Sequence, residues 1–338
     1  MRKQMKKTLS AVLAVVMMLS IIGIINAGAV SNTVKVIVRN TNFKTSDGAL
    51  WEGVLINADI ELKTTDSVET VLERAITENG YEFTVSPYGY ISSVNNLAEY
   101  ANNGSGGWMA TLNDWFTADS VSAYTVENGD LQAGDEIVMM YTNDWGADCG
   151  SLYGDLNTKL SNSQIIEGDF VSEETKSSFK YGFDPDTNQG TITIRAAHAD
   201  IALYPEAQNK NYQVRTYLNE YQPTVNGTEI RRGRRFAVKG GDKVYIGVGN
   251  AAWPTMNSWV GTADETVYTF TVKYVPVKGD LDGNGVLGIN DVTEVQRYIA
   301  EFRTLDNSQI AIVDYDNDGA VTVNDATKMQ RLIAEYDD

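Results

Sequence analysis

Two stretches near the C-terminus carry oxygen ligands at metal-binding spacing. Residues 280–291 place Asp280, Asp282, Asn284 and Asp291 at loop positions 1, 3, 5 and 12, with Gly285 at position 6. Residues 314–325 repeat the arrangement with Asp314, Asp316, Asp318, Asp325 and Gly319. This is the spacing of a calcium loop: side-chain oxygens converge on one hard cation, and the carbonyl of position 7, Val286 or Ala320, adds a ligand. The glycine permits the sharp turn. Position 12 is Asp where an ordinary EF-hand has the longer Glu, so the following helix must sit closer to the metal. Position 8 is apolar in both copies (Leu287, Val321), which would seat each loop on the segment after it.

The elements that position these ligands are also duplicated. An offset of 34 residues superposes 280–301 on 314–335, and half of the aligned residues are identical. A repeat of this kind sets the architecture of its region. Each loop should open a helix with one apolar face, formed by Val292, Val295, Ile299 and Phe302 in the first copy and Ala326, Met329, Ile333 and Tyr336 in the second. No amphipathic helix is expected before either loop. A segment this small cannot bury a large core, so two calcium ions should carry part of its folding energy.

With its paired loops, the Asn-Asp pairs at 290–291 and 324–325 and the Gln-Arg pairs at 296–297 and 330–331, residues 279–338 resemble a type I dockerin. The resemblance implies calcium-dependent docking onto a cohesin module of a scaffoldin. It further implies that the contact residues are Ile289, Asn290, Gln296 and Arg297 in one copy and Val323, Asn324, Gln330 and Arg331 in the other. The Ser-Thr pair familiar at positions 10 and 11 of such loops is replaced here. The near-duplication suggests pseudo-two-fold symmetry, with either helix able to face the partner.

At the other end, residues 1–29 read as a secretory signal: Arg2, Lys3, Lys6 and Lys7, an apolar run from Leu9 to Ile25, and Ala27-Gly28-Ala29 ahead of a cleavage site. Its removal takes the net charge from −18 to −22. A secreted, extracellular protein of that charge, with no membrane segment after cleavage, is a poor ligand for nucleic acid, which needs basic patches. Cys149 is the single cysteine, so no intramolecular disulfide can form.

Between these ends the fold class reads as mainly β: an α+β module over 32–148, a linker over 149–164 and a β-sandwich over 165–277. In the first module Val34, Val36 and Val38 alternate as a strand. A helix follows, with Asp66 as its cap, Glu69 in a capping box, an apolar stripe of Val68, Val71, Leu72, Ala75 and Ile76, and Gly80 at its end. Strands are expected at Tyr81–Val85, Gly107–Asn113 and Glu136–Tyr141. The helix, the Gly106-Gly107-Trp108-Met109 strand and the stretch from Leu131 to Tyr141 resemble a bacterial cell-surface domain with the fold of the C-terminal domain of transcobalamin and intrinsic factor. In the vertebrate members that fold covers cobalamin, but fold does not give function. In the second module, short strands at Thr191–Ile194, Ile201–Leu203, Tyr212–Val214, Thr224–Val225, Phe236–Val238, Lys243–Val248 and Val267–Val272 give a sandwich pattern. The turns at Val225–Thr228 and Gly240–Asp242 resemble a cadherin-like bacterial β-sandwich.

Four further features bear on function. His198 is the only histidine, so neither a His-based zinc site nor a Ser-His-Asp triad has spare partners. The Asp184–Gly190 stretch spaces oxygens like a calcium loop but has its glycine one place late, and reads as a hairpin turn. Arg231, Arg232, Arg234 and Arg235 cluster in an otherwise acidic chain and read as a solvated turn or one paired with acids, ahead of a phosphate or anionic-polymer site. Trp115, Trp145, Trp253 and Trp259 fall in or beside predicted loops, where flat rings could stack on sugars. The whole reads as a secreted, non-catalytic component of a cellulosome-like polysaccharide-degrading complex, with β modules facing a glycan or cell-surface ligand. A small divergent glycoside hydrolase, which needs only two carboxylates, and a structural spacer or adhesin are the other readings.

Overall fold

The computed structural model describes residues 32–161, 164–257 and 263–335. The signal segment, Trp259 and Tyr336 lie outside them.

The first module is built on a five-stranded sheet of order β2-β1-β8-β6-β7. Its strands are β1 (Thr33–Asn40), β2 (Gly53–Glu61), β6 (Gly107–Leu112), β7 (Trp115–Phe116) and β8 (Glu136–Thr142). β1 and β8 run parallel; the other pairs are antiparallel. A three-stranded sheet of β3 (Phe83–Val85), β4 (Ile91–Val94) and β5 (Leu97–Ala98) lies beside it. Helix α1 (Val68–Glu78) lays the expected five apolar residues onto one face of the large sheet, against Val34, Val36, Val38, Ile137 and Met139. Its cap is Ser67, one residue later than expected. The Ser67 hydroxyl accepts the Thr70 amide at 3.2 Å, and Thr70 Oγ1 accepts the Ser67 amide at 2.9 Å. Asp66 is instead engaged by Arg74 at 2.5 Å.

β8 shows why its sequence is a run rather than an alternation. Every residue from Ile137 to Thr142 is buried, because the sheet's second face is covered too. There Phe116, Val138 and Met140 cluster with Met109, Cys149 and Met256, the last contributed by the second module. A strand covered on both faces reads as continuous apolar sequence.

The second module is a two-sheet sandwich. One sheet has the order β10-β15-β14-β12, with β10 (Gln189–Ile194), β12 (Val214–Leu218), β14 (Lys243–Val248) and β15 (Thr266–Tyr274). The other has β13-β11-β9, with β9 (Ile166–Gly168), β11 (His198–Leu203) and β13 (Arg235–Lys239). Ile201, Leu203 and Val238 from one sheet meet Ile192, Ile246, Phe270 and Val272 from the other in one core. Residues 224–225 form a turn rather than a strand, and the strand expected at 212–214 begins at Val214. A helix not expected from the sequence, α2 (Glu173–Tyr181), is capped by Ser172. Phe179 anchors it by packing on Phe270 at 4.6 Å between ring centroids.

The connection between the two modules is pinned down over 149–161. Asn209 Nδ2 donates to the carbonyls of Leu152 and Asp155, both at 2.8 Å, and Ser151 Oγ donates to Asn211 Oδ1 at 2.8 Å. Asn211 Nδ2 in turn donates to Asn257 Oδ1 at 2.8 Å. Asn209, Asn211 and Asn257 are all fully buried, a placement that requires every amide to find a partner.

The C-terminal segment is helical: α3 (Ile289–Ile299), α4 (Asn307–Val313) and α5 (Val323–Ile333). Val292 and Val295 of α3, Val313 of α4 and Ala326 and Met329 of α5 form its core with Leu281. α4 corrects the expectation that no helix precedes a loop, since it runs directly into Asp314. It is held by Asp306, whose carboxylate accepts the amides of Ser308 and Gln309 at 2.8 and 2.9 Å. Phe302, assigned to the apolar face of the first helix, is 83 % exposed beyond the end of α3.

Candidate metal centre

Each calcium loop gathers three carboxylates: Asp280, Asp282 and Asp291 in the first, Asp314, Asp316 and Asp325 in the second. One oxygen from each lies within 4.8 Å of the others. The backbone folds around the first and last aspartates. Asp280 Oδ1 accepts the amides of Gly283 and Asn284 at 2.9 and 3.1 Å, and its Oδ2 accepts that of Gly285 at 2.7 Å. Asp291 accepts Leu281 and Asp282 on one oxygen and Gly288 on the other. The second loop repeats this: Asp314 accepts Asp318 and Gly319, and Asp325 accepts Tyr315, Asp316 and Thr322.

The electrostatics fit a cation. Burial pushes the Asp280 carboxyl above its ordinary range despite the three amides that favour its charge. At Asp325 burial also opposes ionisation, but the amides of Thr322, Tyr315 and Asp316 outweigh it and hold the carboxyl below the ordinary range. Three carboxylates this close repel one another, and a hard divalent ion bound by oxygens relieves that repulsion. The donor set, Gly285 and Gly319 at φ +91°, and an apolar position 8 packed into the core all suit calcium. Asp318 stays outside its triad and accepts the Ala320 amide at 2.8 Å. These are two calcium sites.

Ile289 and Val323, the first residues of α3 and α5, are 61 % and 64 % exposed. Asn290, Gln296, Arg297, Asn324, Gln330 and Arg331 are exposed beside them. Arg297 pairs with Glu294 at 3.0 Å.

The aromatic platforms are corrected by the structure. Trp115 is buried between the modules, where its indole donates to the carbonyl of Asn211 at 3.1 Å and its ring meets Tyr124 edge-on. Trp253 is buried with its indole on the Pro223 carbonyl and the Arg215 guanidinium over its ring. Neither offers an open face. Trp145 is 66 % exposed.

The arginine cluster is paired with acids as the sequence suggests, and its pairs form the seam between the modules, a location that sequence reasoning missed. Arg231 reaches Asp135 at 2.7 Å and the carbonyls of Gly129 and Asp130, and Arg232 bridges Glu206 and Glu136. Arg235 pairs with Asp169 at the surface. Lys210 and Asp114 form a further pair across the seam. His198 is exposed at the start of β11. Burial pushes the Cys149 thiol up to about 12, which leaves it unreactive. Asp184 closes a hairpin turn against Gln189.

Residues 278–334 match the family described as "Dockerin type I domain". Among solved structures the chain is similar to haptocorrin in complex with Cbi, at 14 % identity and a TM-score of 0.25, over 33 % of this chain and 25 % of that one. It is also similar to a putative metal binding protein from Ruminococcus gnavus ATCC 29149, at 17 % identity and a TM-score of 0.23, over 33 % of this chain and 96 % of that one. The chain thus spans a quarter of the haptocorrin chain's length. No curated protein matches the chain. Among the described residues no helix is long and apolar enough to cross a membrane. Two carboxylate triads, each leading into a helix with an exposed apolar first residue, coincide with the matched residues, and a dockerin implies a cohesin as partner: the C-terminal segment of this chain is a type I dockerin domain.

Proposed function

We propose that this protein is a secreted, non-catalytic component of a cellulosome-like, polysaccharide-degrading complex. Its dockerin plugs into a cohesin of a scaffoldin, and its two β modules present a glycan-binding surface. The observation that carries this reading is the duplicated geometry of the dockerin. Each calcium loop delivers one exposed apolar residue and an exposed asparagine, Ile289-Asn290 or Val323-Asn324, to the start of a helix. Each helix continues with an exposed Gln-Arg pair, 296–297 or 330–331. An apolar anchor ringed by hydrogen-bonding groups is how a small interface obtains both affinity and register.

The test is titration of a panel of cohesin modules in calcium and then in excess chelator. Tight binding that disappears on chelation supports the reading. Affinity unchanged by chelator, or no binding to any cohesin, would sink it. Asp280→Ala combined with Asp314→Ala should abolish binding, and single substitutions in one repeat should leave it partly intact.

A further inference from the structure

A cleft of about 590 Å³ opens along the seam between the β modules, within the size range of small-ligand sites. The first module lines it with Trp115, Tyr124, Asn128 and Asp130, and the second with Gln213, Arg215 and Glu229. We propose that this cleft binds a neutral oligosaccharide. The inference rests on the glycan-binding function proposed for the β modules and gives them their ligand.

The contacts that shape the cleft need no ligand. Arg231 and Asp135 close the seam at its edge, and a second set of contacts, the Phe116 amide to the Lys210 carbonyl at 2.9 Å and the Trp115 indole to the Asn211 carbonyl at 3.1 Å, fixes it further on. A preformed site loses little ordering entropy on binding. Arg215 is the most prepared group. Its guanidinium lies 4.8 Å over the Trp253 ring, and its Nε and Nη2 both donate to Gln213 Oε1, at 3.1 and 2.9 Å. No carboxylate forms an ion pair with it among the described residues.

The chemical class follows from the balance of donors and acceptors. Arg215 can only donate, Asp130 and Glu229 accept, and Asn128 does both, while Gln213, whose oxygen accepts twice from Arg215 and whose amide donates to the Pro254 carbonyl, keeps one N–H to offer. A hydroxyl group donates and accepts, so a polyol can satisfy all of them at once. An apolar ligand would leave charged groups desolvated and unpaired. Arg231 and Arg232 also line the cleft but are already paired with Asp135, Glu136 and Glu206, so an anionic ligand would find Arg215 as its unpaired cation and would meet Asp130 and Glu229 inside a chain of net charge −18. Trp115 and Tyr124 are buried in the cleft wall, and exposed Ala252 and Pro254 supply the apolar surface that a sugar's C–H groups can meet.

The experiment uses the mature full-length protein in calcium. Hexasaccharides of β-1,4-glucose, β-1,4-xylose, β-1,4-mannose, β-1,3-glucose and α-1,5-arabinose are titrated by calorimetry, with an oligogalacturonate of equal length as the anionic arm. At least one neutral hexasaccharide should bind. Arg215→Ala and Gln213→Ala should each weaken it tenfold or more, while Arg235→Ala, outside the cleft, leaves it unchanged. Melting temperature and cohesin titration on the same samples show that the variants are folded. Binding that survives both cleft substitutions overturns the site and leaves the glycan-binding reading standing. No binding across the neutral panel, or binding of the oligogalacturonate alone, overturns the proposal, and intact cohesin binding then shows that docking stands without it.

Discussion

The backbone amide of Ala197 donates to the carbonyl oxygen of Gly283 at 2.9 Å, tying the β10–β11 turn of the sandwich to the first calcium loop. Phe170 reinforces the contact: a Cβ added to Gly285 would lie 2.7 Å from its ring. Among the described residues the second loop has no such neighbour, and a Cβ at Gly319 would meet nothing within 4 Å. Two positions equivalent in the repeat therefore differ in the folded chain. Both glycines sit at φ +91°, so alanine at either should cost about 1–2 kcal/mol for the left-handed backbone. Gly285→Ala should cost about 1–3 kcal/mol more, because it overpacks against Phe170. Chemical unfolding of the calcium-loaded dockerin transition checks this, and Phe170→Ala should bring the two variants level. Equal losses with Phe170 in place would contradict the contact.

The seam between the β modules depends on Arg231. Its side chain is 15 % exposed and that of Asp135 is fully buried. Removing one partner of a buried pair strands the other charge and costs about 3–5 kcal/mol. Arg231→Ala should split the joint unfolding of the modules into two calorimetric transitions. Arg235→Ala breaks a pair that is more than half exposed on both sides and should change stability by no more than about 0.5 kcal/mol. A single unchanged transition in the Arg231 variant would show that the modules do not rely on this pair.

Asp114 makes the seam pH-dependent. Burial pushes its carboxyl up to about 6 even with Lys210 beside it, since its Oδ2 is buried without a hydrogen-bond partner. An unfolded chain releases that proton near pH 3.9. Between these values the native state holds a proton that the unfolded state has lost, so this group's contribution falls as pH rises from about 4 to about 6. Asp114→Asn removes the titration. The stability difference between wild type and variant should shift by about 2–3 kcal/mol across that window, with wild type losing ground as pH rises. Urea midpoints at pH 4.5 and 7.5 measure it. A constant difference would mean that Asp114 titrates alike in both states.

The dockerin was legible because its information is local. Ligand spacing, glycine and the following apolar stripe all lie within one repeat. So was α1, although Ser67 took the cap expected of Asp66 because Arg74, eight residues on, engages that carboxylate. The seam was not legible, since its partners are far apart in sequence: Arg231 and Asp135, Trp115 and Asn211. Loop position alone suggested that Trp115 and Trp253 were exposed, yet long-range packing buried both. The asparagines at 209, 211 and 257 form no pattern in the sequence, and only the fold shows them as a buried network. Helix α4 has only seven residues, too few for its Ile310 and Val313 to be read as a stripe from the sequence.

Calcium removal tests how the dockerin is held together. Its core is a single small cluster around Val292, Val295 and Met329, and the loops that close it are built from mutually repelling carboxylates. Binding an ion to the native state alone stabilises it by about 2.7 kcal/mol per site when calcium is a hundredfold above Kd. Chelation should therefore lower or abolish the dockerin transition while the β modules keep theirs. Asp280→Ala and Asp314→Ala should each remove half of the calcium-dependent gain if the sites are independent. The contact of the first loop with Phe170 and Ala197 predicts otherwise. The sandwich holds that loop in its bound shape, so the first site should bind more tightly than the second and release calcium last. Calorimetric titration of the two single variants separates the sites, and Phe170→Ala should erase the difference. Equal affinities in wild type would show that the sandwich does not pre-shape the loop.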